Sequence, residues 1–168
     1  DVTSQRDVAV GRDGAERELR QGRERPEAQL EGQASLEHAV LRGAAARAVG
    51  RLGDAAGIAP LAELLADPSP VPRGAAVEAL LALRAKDKSA DLAARLAVET
   101  DRAVRASLYE ALVELSGEAA IEPLRVSFER PERAIDRPWI ADVLGRVGSP
   151  KALPLLRAAL SGPEVTIA

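Results

Sequence analysis

Small and apolar side chains recur along most of this chain at steps of three, four and seven residues, the spacing that lays one stripe along an α-helix. Four arginines, Arg42, Arg73, Arg105 and Arg137, open similar segments 31, 32 and 32 residues apart. Counted from each arginine, offset 6 holds Ala48, Ala79, Ala111 and Val143, and offset 7 holds Val49, Leu80, Leu112 and Leu144. Offset 10 holds Leu52, Leu83, Leu115 and Val147, which completes the stripe of a first helix. A second helix follows in the same register. Offset 19 is Leu61, Leu92, Leu124 and Leu156, and offset 23 is Leu65, Leu96, Phe128 and Leu160. At offset 16, Ile58, Ile121 and Leu153 keep the pattern and Ser89 breaks it.

The gaps between stripes carry turn chemistry. Gly53-Asp54, Ser116-Gly117 and Gly148-Ser149-Pro150 fall between the two helices of a unit, where glycine tolerates the left-handed conformation that ends a helix. Asp67-Pro68-Ser69-Pro70, Glu99-Thr100-Asp101 and Arg130-Pro131-Glu132 separate one unit from the next, stopping one helix and capping the following one. The spacing therefore predicts an all-α chain of about four helix-turn-helix repeats, with units at about 36–70, 71–102, 103–135 and 136–168 and no sheet. Residues 1–35 fit less well and read as an N-terminal arm or a degenerate capping repeat, with Asp13–Gln21 and Pro26–Gln33 as its two helices in the second case.

Two stretches, Val40-Leu41-Arg42-Gly43-Ala44-Ala45-Ala46-Arg47-Ala48-Val49-Gly50-Arg51-Leu52-Gly53-Asp54 and Leu65-Ala66-Asp67-Pro68-Ser69-Pro70-Val71-Pro72-Arg73-Gly74-Ala75-Ala76, carry a resemblance. They look like the HEAT-like repeat of the phycobilisome-lyase type, and the likeness extends over about 36–163. It implies a right-handed α–α superhelix, a HEAT-like solenoid, in which recurring Arg and acidic residues at unit starts bridge neighbouring units. Asp67 with Arg73, and Glu99 with Arg105, occupy the matching positions. Pro131 stands six residues before Arg137, so the last junction departs from that pattern.

Composition narrows the chemistry. Apolar residues make up 46% of the 168, yet only three are aromatic, so the core is built of Ala, Leu and Val, suited to helices packed closely on helices. A net charge of −3 lacks the basic excess of a nucleic-acid binder. With no Cys and one His, His38, the chain has no thiolate and no multi-histidine set for a transition metal, and no metal or organic cofactor is expected. Glu37-His38 occurs once, in an order opposite to the repeated His-Glu pairs of HEAT-like iron hydroxylases, and reads as a partly exposed helix position near the first turn. No stretch has the roughly 20 apolar residues that span a bilayer. The polar start, Asp1-Val2-Thr3-Ser4-Gln5-Arg6, without an initiator Met, reads as a processed chain or an excised fragment. The compartment stays open, with the cytoplasm favoured.

Four residues stand out as candidate partner-binding groups. Arg95, Arg125 and Arg157 sit in second helices at offsets 22, 20 and 20. By resemblance to other HEAT-type solenoids these helices line the concave surface, where a row of guanidiniums suits an acidic peptide or phosphates. Offsets 20 and 22 differ by about 200° around a helix, so Arg125 and Arg157 form the safer pair. Trp139 replaces the small Ala44, Ala75 and Ser107 of the other units, either filling a gap or anchoring a partner. Tyr109, in line with Ala46, Val77 and Ala141, poses the same question. No nucleophile–base pair or phosphate loop is seen. The sequence thus reads as a non-catalytic protein-interaction scaffold. The alternatives are a nucleic-acid or phosphate-ligand binder through the second-helix arginines, and an enzyme accessory domain related to bilin lyases.

Overall fold

A computed structural model describes residues 32–161, and the expectations for 1–31 lie outside them. The chain divides into two units, Asp1–Ala39 and Val40–Ala168. Of the first, residues 32–39 are described: they are helical, with Glu37 and His38 exposed.

Residues 32–52 form helix α1. It is followed by α2 (Ile58–Leu64), α3 (Pro70–Ala82), α4 (Ser89–Val98), α5 (Arg102–Ser116), α6 (Ile121–Glu129), α7 (Arg137–Val147) and α8 (Leu153–Ser161). Short 3₁₀ segments join the two helices of each unit and also lead from α6 to α7, and no strand occurs among the described residues. Asp101 starts α5 by accepting from the Val104 backbone N–H at 3.0 Å, and Pro70 sits in the first turn of α3, where a missing N–H costs nothing. Gly148 ends α7 at φ 67°, in the left-handed region. The equivalent residue of the second unit is Arg84, held at φ 54°, a conformation that costs a side-chain-bearing residue roughly 1–2 kcal/mol.

Within the unit Val40–Ala168, first helices stack on one another, α3 on α5 and α5 on α7, and each second helix packs on the first helix that follows it. This is an all-α helical repeat solenoid. Small residues set the approach: a Cβ on Gly50 would lie 2.8 Å from the Cα of Ala79, so α1 and α3 meet there almost backbone to backbone.

The predicted stripes are buried in the middle of the stack. Leu80, Leu112, Leu144, Leu61, Leu92 and Leu124 are all in the core. At its ends the expectation fails. Val49 and Leu156 are only partly buried, and Leu52 and Leu160 are exposed, Leu160 by 88%. A stripe residue needs a helix on each side to cover it, and the outermost units have such cover on one side only among the described residues.

Candidate partner-binding surface

The unit-opening arginines hold the stack together, in a direction the sequence did not indicate. Arg42 donates from Nε and Nη2 to Asp67 at 2.7 and 3.0 Å. Arg73 grips Glu99 in the same two-pronged way, at 2.8 and 2.7 Å, and Arg105 donates from Nε to Asp136 at 2.6 Å. Each arginine therefore reaches the carboxylate of the next junction rather than the one six residues behind it. What lies behind receives the remaining nitrogen: Nη1 of Arg73 donates to the carbonyls of Asp67 and Pro68, and Nη1 of Arg105 to that of Thr100. The implied pairs Asp67–Arg73 and Glu99–Arg105 are corrected accordingly. A guanidinium has donors enough to cap carbonyls at the junction behind its unit and bind the carboxylate at the junction ahead.

Glu99 is the most heavily used acceptor. Besides Arg73 it accepts from Arg95 Nε at 2.9 Å and from the backbone N–H groups of Thr100 and Asp101. Burial pushes its carboxyl up, but Arg73, the Asp101 N–H and Arg95 together outweigh burial and hold it at about 2, against 4.5 ordinarily. The unfolded chain then binds a proton at higher pH than the folded one does, so this contribution to stability is complete above about pH 4.5 and disappears towards pH 2. Thermal midpoints followed by circular dichroism should fall across that window, and Glu99→Gln should lose part of the slope.

The last internal junction has a different build. Pro131 supplies no carboxylate, and the 3₁₀ segment Pro131–Asp136 delivers Asp136 instead. The same segment buries Arg133, 4% exposed, which donates to Ser127 Oγ and to the carbonyls of Ala97 and Glu99. Burial lowers its pKa. Tyr109 is buried beside them, its hydroxyl donating to Asp136 at 3.1 Å and lying 2.8 Å from Ser127 Oγ, so that Ser127 donates to Tyr109. Neither Arg133 nor Asp136 had a signal in the repeat pattern. The tyrosine at a small-residue position was the trace of this network.

The four candidate residues do not converge on one site. Arg95 belongs to the Glu99 cluster. Arg125 is clamped by Glu122 and Glu129 of its own helix, Glu122 first among the partners that raise its pKa. Arg157 is exposed on α8. Trp139 lies on α7, a first helix. It is 46% exposed rather than packed into a gap, and its indole N–H donates to Glu110 Oε1 at 3.2 Å. Glu110 also pairs with Arg146.

A cleft of about 890 Å³ opens between α6, α7 and α8. Phe128, Pro138, Ala141, Leu155 and Leu156 are among its apolar walls, and Glu129 and Arg137 are its charged members. No cluster of three or more His, Cys, Asp or Glu that could hold a metal occurs among the described residues, and no described helix is long and apolar enough to cross a membrane.

Two family models match the chain. One, described as HEAT repeats, covers residues 26–113, and the other, the PBS lyase HEAT-like repeat, covers residues 137–162. No curated protein matches it.

Proposed function

The chain belongs to the HEAT repeat family, whose repeats generally mediate protein–protein interaction, and from that premise we propose that it is a non-catalytic scaffold binding a protein partner on its solenoid surface. The observation that carries this reading is the division of labour among its polar groups. The buried arginines and carboxylates are spent on tying together the junctions at the two ends of each repeat, while a large, mostly apolar cleft and a half-exposed tryptophan face outward. Open apolar surface of this kind on a repeat protein suits a protein partner.

The charge pattern supports a protein over a phosphate ligand. Arg125 comes with two carboxylates of its own, so α6 offers no bare cation to a nucleic-acid backbone. Trp139 then serves as an anchor on a first helix, Arg125 and Arg157 contribute separately from the second helices α6 and α8, and Arg95 is committed to the junction. The name of the second matching family comes from a lyase, but that match spans one repeat.

The test begins with in situ cross-linking of the native protein, identification of the partner, and calorimetric titration of the purified pair. Trp139→Ala should weaken binding about tenfold or more, as for an interface anchor, and the Arg125→Ala, Arg157→Ala double variant should weaken it less. Unchanged affinity in both variants would remove these residues from the interface. Retention on heparin at low salt, without a protein partner, would replace the scaffold reading with the phosphate-ligand one.

A further inference from the structure

Arg133 is a buried cation whose donors, among the described residues, meet hydroxyl and carbonyl oxygens rather than a carboxylate. It reaches back to the end of α4, to the carbonyls of Ala97 and Glu99, and across to Ser127 on α6. Arg130 adds a second donor to the Ala97 carbonyl at 2.7 Å. The last carbonyls of a helix carry its negative end, which offsets part of the charge. A carboxylate, Asp136, is reached through two hydroxyls whose order is fixed. Arg133 can only donate, so Ser127 accepts from it at 2.9 Å and gives its own proton to Tyr109. Asp136, paired with Arg105, can only accept, so Tyr109 donates to it at 3.1 Å. Every bond in this relay points from cation to anion, an arrangement in which each bond polarises the next. Burial pushes the pKa of the Tyr109 hydroxyl up, which keeps the donated proton in place.

The relay closes into a ring. Asp136 holds Arg105, and Nη1 of Arg105 returns to the carbonyl of Thr100, the neighbour in sequence of Glu99, whose own carbonyl holds Arg133. Arg105, Tyr109, Ser127, Arg133 and Asp136 are all buried. We infer that this ring is a conformational lock, which makes the junctions at Glu99 and Asp136 open and close in one step. It ties the end of α4 to α5, to α6 and to the 3₁₀ segment that leads into α7. The Arg42–Asp67 pair lies outside it. A load placed on α7, the helix that carries Trp139, is then felt at Glu99 on the far side of the ring. The hydroxyls of Ser127 and Tyr109 are the links on which this coupling depends, because they alone join the Arg133 side of the ring to Asp136.

The test is a double-mutant cycle on the full chain, read as unfolding constants in urea. Tyr109→Phe removes one hydroxyl and keeps the ring that packs. Once it has cut the relay, Arg133→Met should raise the unfolding constant by a factor about fivefold or more smaller than it does in the unaltered chain, as for members of one hydrogen-bond network. In a Ser127→Ala background, where the relay is already cut, the same two substitutions should multiply independently within about twofold. Asp67→Ala at the first junction should likewise be independent of Tyr109→Phe, again within about twofold. Hydrogen exchange of the native protein in rising urea reads the lock directly. The last turn of α4 and the amides of α7 should lose protection at one urea concentration in the unaltered chain, and at two different ones in Tyr109→Phe. If Arg133→Met fails to fold, Tyr109→Phe and Ser127→Ala carry the exchange measurement without it. Independent effects in the unaltered background overturn the inference, as does coupling that survives Ser127→Ala, which would come from packing. Loss of protection at two urea concentrations in the unaltered chain, or at a single one in Tyr109→Phe, overturns it as well.

Discussion

Replacing Glu99 by alanine should destabilise the fold by about 3–5 kcal/mol, the range for removing one member of a buried ion pair. Glu99 accepts from two side chains and two backbone N–H groups, and the Arg73 guanidinium it neutralises is itself buried. Without the carboxylate, Arg73 keeps its carbonyl partners Asp67 and Pro68 but becomes an uncompensated buried charge. The matched comparison is Asp67→Ala at the first junction. Its partner Arg42 has a side chain 41% exposed, so water can take over the solvation of the cation and the loss should be nearer 1 kcal/mol. Urea unfolding of the two variants reads the difference directly. Equal losses would mean that burial does not grade the junctions, and that the series of arginine contacts is a set of surface pairs.

Several features of the fold were visible in the sequence because they depend on local periodicity. The 31–32-residue repeat, the two stripes per unit and the glycine at φ > 0 after α7 all follow from helix geometry and the demands of helix ends. Partner choice across junctions was not visible in the same way. Asp67 and Arg73 lie six residues apart, but the long arginine side chain spans to the junction at the far end of its own unit, and the packing of helices decides which carboxylate waits there. The junction before α7 was hidden for a further reason. Its 3₁₀ segment moves the acidic residue from the position of Pro131 to Asp136, and no periodic rule announces an irregular segment. The arginine strip read from equal offsets ignored local acids: Glu122 and Glu129, one turn either side of Arg125, close on it first. Trp139 was legible as an oddity and illegible as to side, because the small-residue position it occupies is exposed at Ala44 and buried at Ala75.

The register itself is tested by truncating one leucine in the middle of the stack and one at its end. Leu124→Ala should cost about 2–5 kcal/mol, since Leu124 is fully buried and its removal leaves a cavity among rigid neighbours. Leu160→Ala lies on the same face of an equivalent second helix, four residues beyond the register partner of Leu124, yet its side chain is 88% exposed. It removes almost no buried surface and should stay within about 0.5 kcal/mol. The contrast matters more than either number, because the two substitutions make the same chemical change and differ chiefly in what covers the side chain. Denaturant midpoints measured on the two variants should therefore separate widely. A Leu124→Ala protein with an unchanged midpoint would show that the second-helix stripe is not the core. A large loss for Leu160→Ala would show that α8 is covered in solution.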